Sequence, residues 1–363
     1  MSFLNGVSFL ICTYNSASRI TETLRHLAEQ ELSAGIKCEI ILVDNACTDD
    51  TALIAENYWK QSDRAMPLRI FREQRPGKNF AVELAFQKAQ YCYACIVDDD
   101  NRLNNDYLRI GYHLLESNAK IGIIGGPNAA SFDIVPPSWF PAYQHCYAVG
   151  EQKGYNNGRF EVFADGNIGR NALWGAGMFV RTIIWHQLYS LGFKSLFIGR
   201  QGSKNLTAGE DDELCYVAQM LGYEIWYSSK LYLIHHMTAV RLTKSYRNRL
   251  FYSSVWSQTR IFAYINTLWG NPIKYLSISN HLKDTAYMIK GVLKRMITLQ
   301  YVKDLIKWNE VSIMNVNRDM LIIYARIKDM KNVKNYYLDV MDLKKRIDKN
   351  AHNIIQSNIA DRM

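Results

Sequence analysis

Asp98, Asp99 and Asp100 stand in a row at the end of an apolar run, residues 94–97, that reads as a buried strand. Three carboxylates at one strand end repel one another, and a divalent cation held by oxygen ligands is the economical way to relieve that. On an extended strand Asp98 and Asp100 share one face and Asp99 takes the other, so Asp98 and Asp100 form the pair suited to joint work. The plain alternative is a solvated acidic turn capping the next helix. Two further clusters invite the same question. Glu210, Asp211, Asp212 and Glu213 open a helix, where acids are favoured in any case. His235 and His236 close a strand, and two adjacent histidines there point to opposite faces.

The elements that must position these groups follow from periodicity. Residues 7–12 form an apolar run of strand length, followed by a helix carrying Ile20, Leu24 and Leu27 with Ser16 or Ser18 as its cap. A second strand, 38–43, ends at Asp44 and Asn45, and Thr48 and Asp49 cap a helix over 52–59. A strand at 68–71, a helix at 80–89, the strand of the three aspartates, a helix to Leu115 and a strand at 121–125 complete the alternation. Alternation with short connections predicts a parallel α/β sheet, whose ligand lies outside the carboxyl ends of its strands. Thr13, Tyr14 and Asn15, then Asp44 and Asn45, then the aspartates all fall at such ends and converge on one crevice.

From 126 to 170 the pattern dissolves into Gly, Pro, Asn and aromatic residues, an irregular segment of the kind that covers or lines a site. Residues 175–181 read as a strand, 182–191 as a helix and 199–209 as a loop before the acidic helix. Beyond about 240 only long helices are expected.

With 363 residues and 48% apolar content the chain can bury a full core. Its net charge of +9 is uneven, since residues 240–363 hold 22 Lys/Arg against 9 Asp/Glu. A basic tail suits an anionic surface: membrane phospholipid, a lipid-linked phosphate or nucleic acid. Tyr246, Leu250, Phe251, Val255 and Phe262 recur at helical intervals and predict packing against the first part of the chain. Met288, Ile289, Val292, Leu293, Met296 and Ile297 beside Lys290, Lys294 and Arg295 predict an amphipathic helix on an anionic membrane, with a helical oligomer interface as the alternative. Seven cysteines without framework spacing point to a reducing compartment, and Cys92 and Cys95 read as core or helix-end residues. No leader and no span-length apolar run is visible, so the expected location is cytoplasmic or peripheral on the inner face of a membrane.

Taken in order, these motifs resemble the family 2 inverting, nucleotide-sugar-dependent glycosyltransferases over roughly residues 5–240. The resemblance implies a GT-A type α/β fold, a Rossmann-like, mostly parallel sheet flanked by helices, with a basic helical extension. It divides the chain into a catalytic domain over 1–240, nucleotide-binding to 125 and acceptor-binding beyond, and a helical region over 241–363. Cys12, Thr13, Tyr14 and Asn15 resemble the family's nucleotide-contacting start, and Asp44 and Asn45 its base-binding turn. Asp98, Asp99 and Asp100 resemble its DxD motif. Trp174 to Met178, with Trp174 and Gly175 foremost, resemble the Gly-rich acceptor-side segment, and Gly209, Glu210 and Asp211 the motif carrying the catalytic base.

What this implies is transfer of one sugar from a nucleotide-diphosphate donor to a glycan or lipid-linked acceptor, in surface polysaccharide or glycan assembly. Asp100 and His235 are then expected to hold Mn2+ or Mg2+, with Asp98 and Asp99 on the donor side and Asp211 as base. Asp44 would accept the imide N–H of uracil, favouring a UDP-sugar, although Asn45 departs from the commoner Asp-Asp form of this turn. Arg75, Lys78 and Asn79 would reach the base or phosphates, and Arg241 and Lys244 would close over the diphosphate. A sugar nucleotidyltransferase would carry a Gly-rich loop after the first strand, which 13–18 lacks, and a processive synthase would carry QxxRW and membrane spans. A non-catalytic membrane- or nucleic-acid-binding protein would account for the tail and leave the carboxylates without purpose. No nucleic-acid partner is expected, and a homo-oligomer remains open.

Overall fold

In the computed structural model, residues 3–32, 35–62, 66–156, 158–197 and 208–360 are described, with side chains to 350. The expected loop at 199–209 therefore lies almost wholly outside the described residues. Thirteen strands are β1 (Leu4–Thr13), β2 (Cys38–Asn45), β3 (Leu68–Glu73), β4 (Tyr91–Asp98), β5 (Asn101–Leu103), β6 (Ile121–Gly125), β7 (Asn128–Phe132), β8 (Lys153–Asn156), β9 (Arg159–Val162), β10 (Gly166–Asn167), β11 (Phe179–Arg181), β12 (Glu224–Tyr227) and β13 (Leu233–Met237). The α-helices are α1 (Ile20–Ala28), α2 (Thr51–Gln61), α3 (Lys78–Lys88), α4 (Tyr107–Ser117), α5 (Phe140–Tyr143), α6 (Thr182–Ser190), α7 (Glu210–Met220), α8 (Lys244–Trp269), α9 (Ile278–Met296), α10 (Leu299–Ile306), α11 (Glu310–Lys328) and α12 (Met330–Ala360).

Eight strands make one sheet in the order β10-β12-β6-β11-β4-β1-β2-β3. β4, β1, β2 and β3 run parallel, and β11 enters antiparallel between β4 and β6. The strands alternate as a two-faced sheet must. Phe9, Ile11, Ile40, Leu42, Cys95 and Val97 face a core that includes α1, α2 and α4, while Leu10, Ile41, Val43, Ala94 and Ile96 face one that includes α3, α6 and α7. Because Cys12 pairs with both Val43 and Asp98, the ends of β1, β2 and β4 stand side by side. The expected convergence of the three strand ends is thus present.

Three expectations are corrected. The helix after the aspartates starts at Tyr107, because Asn101–Leu103 instead pairs antiparallel with β13. The segment 126–170 holds short strands: β7 joins β13 and β5 in a three-stranded sheet, and β8 and β9 form a hairpin. β7 pairs with a strand more than 100 residues further along, and β8 and β9 have four residues each and are almost wholly exposed, so no apolar periodicity announces them. In the run from Gly175, only Phe179–Arg181 is strand, because Gly177 turns the chain with φ +73°.

The tail divides into two kinds of helix. Tyr246, Leu250, Phe251 and Val255 of α8 are buried against Trp139, Phe140, Tyr143 and Tyr147, as their spacing predicts. Ile261, Ala263 and Tyr264 of α8, with Val333, Tyr337 and Val340 of α12, join the core beneath α3 and α7. Among the described residues no helix is long and apolar enough to cross a membrane, and all seven cysteines are unpaired thiols.

Gly177 is a sensitive point. Its carbonyl accepts from Tyr107 Oη at 2.8 Å, and a Cβ there would lie 2.3 Å from that oxygen and 2.4 Å from Leu233. Gly177→Ala is expected to cost about 2–4 kcal/mol, from left-handed backbone and overpacking together. Chemical denaturation checks this, and an unchanged midpoint would refute the close approach.

Candidate active site

β4 ends at Asp98 and the chain turns at once into β5, so the three carboxylates sit on a tight bend and diverge. Asp98 takes Lys78 Nζ at 2.9 Å. Lys78 is the first residue of α3, and the loop before it is held by Asn45, whose amide donates to Arg75 O at 2.8 Å and accepts from Gly77 N at 2.9 Å. An amide can do both where an ionised carboxylate can only accept, which is a physical reason for Asn rather than Asp at this position. Asp99 turns the other way, accepting from Thr13 Oγ1 at 2.8 Å and Ser16 Oγ at 2.6 Å. Arg19 grips it with two nitrogens, at 2.9 and 3.1 Å.

Asp100 is almost fully buried, with Arg241 Nη2 at 2.5 Å and His235 Nε2 at 3.2 Å. The register of β5 against β13 brings this about: His235 pairs with Asn101, and His236 N donates to Asp100 O at 2.9 Å. The neighbouring histidines do point opposite ways, since His236 instead meets Ser131 and Asp133, each at 2.9 Å. Burial alone would raise the Asp100 carboxyl, but the Arg241 charge and then His235 outweigh it and hold the group well below the usual carboxylate range.

A cavity of about 480 Å³ opens beside this bend. Lys78, Asp98, His235 and Arg241 line one part, Trp174, Gly175, Asp211 and Asp212 another, and Tyr246 and Phe262 of α8 contribute the tail's share. Asp211 accepts from Gly175 N at 2.9 Å, and Gly175 must lack a side chain because a Cβ would lie 2.2 Å from Asp211 Oδ1. Trp174 stacks edge-on against His145, ring centroids 4.8 Å apart. Glu210 opens α7 but stands outside the cavity wall.

Other expected residues lie at the strand ends without lining this cavity. Asn15 bonds Thr48 through its side chain, and Asp44 Oδ1 accepts from Cys47 N at 2.8 Å, so the turns after β1 and β2 are stitched together. Tyr14 is exposed, Asn79 donates to Phe197 O at 2.7 Å, and Arg75 is taken up by Glu73 at 2.8 Å. Lys244 is exposed at the start of α8. Arg19 escaped the sequence reading. Arg19 is the first basic residue after β1, but its pairing with Asp99 follows only once β1 and β4 are neighbours in the sheet.

The acidic run separates by environment. Glu213 is buried, accepting from Leu196 N at 2.8 Å, Tyr264 Oη at 2.6 Å and the Ser195 hydroxyl, which ties α7 to α8. Burial pushes the Asp212 carboxyl up to about 7, with the Asp211 and Glu210 charges adding to it. A carboxyl whose folded pKa lies above its unfolded one near 4 makes the folded state bind more protons between the two values, so it lowers stability as pH rises across that window. Asp212→Asn should therefore raise the melting temperature more at pH 8 than at pH 5. Equal gains at both pH values would show that Asp212 ionises normally.

The sequence model of Glycosyl transferase family 2 matches residues 8–174. Among curated proteins, the chain is 31% identical over 102 residues to the poly(ribitol-phosphate) beta-N-acetylglucosaminyltransferase TarS of Staphylococcus aureus, covering 28% of this chain and 17% of that protein. It is 27% identical over 124 residues to a poly-beta-1,6-N-acetyl-D-glucosamine synthase of Staphylococcus epidermidis, 34% of this chain and 28% of that one. The matches thus span well under half the length of these relatives. Among solved structures, the mannosyltransferase PcManGT from Pyrobaculum calidifontis, in complex with GDP-Man and Mn2+, aligns with TM-score 0.57 and 15% identity over 90% of this chain and 88% of that one. S. aureus TarS 1-349 with UDP-GlcNAc aligns with TM-score 0.51 and 18% identity over 92% and 90%. At such identities the likeness speaks for the fold. The matched span, residues 8–174, holds strands β1 to β4 and the three-aspartate bend, so over that span the chain is similar to Glycosyl transferase family 2, and the fold is of the GT-A type.

Proposed function

We propose that this chain transfers a single sugar, with inversion, from a nucleotide-diphosphate donor to an acceptor hydroxyl. The observation that carries the reading is the meeting, in one cavity at the strand ends, of Asp98 with Lys78, His235 and Arg241 beside Asp100, and Asp211 on α7. Lys78 and Arg241 supply positive charge for a leaving diphosphate. Asp211 takes the proton of the acceptor hydroxyl as its oxygen attacks the anomeric carbon, and the bond to the diphosphate breaks on the opposite face. The backbone N–H of Gly175 holds that carboxylate in place. Thr13, Tyr14, Asn15, Asp44, Asn45, Asn79 and Asp99 are assigned to the donor side, directly or by shaping the turns, with uridine as the base Asp44 would accept. Trp174, Gly175 and Glu210 are assigned to the acceptor side. The acceptor is a glycan or lipid-linked sugar, the setting surface polysaccharide or glycan assembly, and the basic region beyond 240 lies against an anionic membrane surface.

Two neighbouring side chains, Asp100 and His235, are of the types that suit a divalent cation, although among the described residues no three His, Cys, Asp or Glu side chains group to hold one. His235 Nε2 lies 3.2 Å from Asp100 Oδ1 and 3.0 Å from Arg241 Nη1, so the ring nitrogen a metal would take points toward the Asp100 carboxylate. Asp100 and His235 would hold Mg2+ or Mn2+, with donor phosphate oxygens completing the shell. Such an ion would neutralise charge developing on the leaving diphosphate. Arg241 now bridges both of its donor groups and would have to yield.

Asp211→Asn is expected to lower transfer by about 10²- to 10⁴-fold with UDP affinity unchanged, and Gly175→Ala to act in the same direction by displacing Asp211. Nucleotide release from a panel of UDP- and GDP-sugars, with product mass on a candidate acceptor, measures this. Turnover within a few-fold of the unaltered enzyme would remove Asp211 from the reaction.

For the cation, Asp100→Asn should abolish Mn2+-dependent UDP binding, whereas Arg241→Gln should strengthen Mn2+ binding in the absence of nucleotide. Calorimetry and Mn2+ paramagnetic resonance report both. Metal-dependent affinity that survives in Asp100→Asn would exclude this residue as a ligand.

A further inference from the structure

α9 packs with its polar side inward. His281 and Thr285 are buried against α11, where Arg326 O accepts from His281 Nε2 at 3.0 Å and Arg326 Nε donates to Thr285 Oγ1 at 3.0 Å. Val292 is the buried apolar residue of that face. Leu282, Ile289 and Leu293, at helical spacing on another face, are exposed, as are Ile278 before them and Ile297 after. α10 continues the pattern with Leu299, Val302, Leu305 and Ile306, and Trp308 follows at 71% exposure. A helix that faces water with leucine and isoleucine while burying histidine and threonine has an apolar side built for something else.

The charge around this surface is of one sign. Lys283, Lys290, Lys294, Lys303 and Lys307 are all exposed, and none is ion-paired among the described residues. Lys283, Lys290 and Lys294 each follow a residue of the apolar stripe and so run along its flank. The two acids of this stretch are engaged elsewhere, Asp284 with Lys274 at 2.8 Å and Asp304 with Ser312 and Gln300 at 2.7 and 2.9 Å. Arg295 is held by Asp319.

We propose that the exposed face of α9 and α10, from Ile278 to Trp308, docks on an anionic phospholipid surface, its apolar stripe entering the headgroup boundary and its lysines meeting lipid phosphates. A stripe of leucine and isoleucine with flanking lysine and a terminal tryptophan is the composition of an interfacial helix, and unpaired lysines select negative over zwitterionic lipid. This rests on the reading that the region beyond 240 meets an anionic membrane and deepens it by naming the face that does so, and none of its residues lines the cavity of Asp98 and Asp211.

The test is co-sedimentation of the full chain, without donor, with vesicles of phosphatidylcholine alone or mixed with phosphatidylglycerol, across a salt series. Binding is expected to the anionic vesicles, to weaken with salt, and to fall at least about tenfold in Ile306→Glu/Trp308→Glu. Lys290→Glu/Lys294→Glu should lose the preference for anionic lipid. Both variants should keep the melting temperature and UDP affinity of the parent, which separates this outcome from failure of the transferase reading. A full chain that ignores anionic vesicles at low salt overturns the proposal, as does undiminished binding by Ile306→Glu/Trp308→Glu. Light scattering that shows a dimer, dissolved by the same double variant, with no vesicle binding, would make the face an interface between copies instead.

Discussion

Three consecutive carboxylates on one bend impose the constraint around which this molecule is arranged. Two unit charges 4 Å apart repel by about 4 kcal/mol at an effective dielectric near 20, and burial of Asp99 and Asp100 makes solvent a poor remedy. The fold answers by giving each carboxylate its own cation from a different element. Lys78 comes from the start of α3, Arg19 from the turn into α1, and Arg241 from beyond β13. The bend therefore binds together parts of the chain more than 220 residues apart in sequence. The register of β5 against β13 is part of the same answer, since it places His235 beside Asp100.

This arrangement shows which parts of the site the sequence could announce. The strand ends were legible because an apolar run followed by Asp or Asn is a local pattern, and the opposed directions of His235 and His236 follow from strand geometry alone. Charge compensation was legible only as a demand. The acids said that cations were needed, but Arg19 and Arg241 answer through pairings that no short window contains. The same limit explains β5 and β7, whose three and five residues are strands only because β13 lies between them. Asp212 and Glu213 were alike on paper and differ in place: one lines the cavity, the other joins α7 to α8.

The tail past residue 240 also proves less uniform than its charge suggested. α8 shares a core with the aromatic segment around Trp139 and Tyr147, and its Tyr246 and Phe262 wall the cavity that holds Asp211. The cavity is thus completed by a helix from outside the span matched by the family model. The shape of the cavity on that side depends on α8 as much as on the carboxylate bend. Within one fold, the demand for charge balance at the bend thus coexists with a cavity wall supplied by another part of the chain.

α9 and α10 complete the contrast. α8, which closes the site, buries its apolar residues, whereas α9 buries His281 and Thr285, α10 buries none of its residues, and both turn leucine and isoleucine outward, with Trp308 exposed beyond them. Hydrophobic burial within the chain would favour the reverse orientation, so the observed one needs a compensating interaction inside, and the His281, Thr285 and Arg326 hydrogen bonds provide it. Removing those bonds would leave buried polar groups unsatisfied while rotating α9 would bury its stripe. The polar contacts to α11 thus hold α9 in the orientation that leaves its apolar stripe, with the lysines along its edge, exposed.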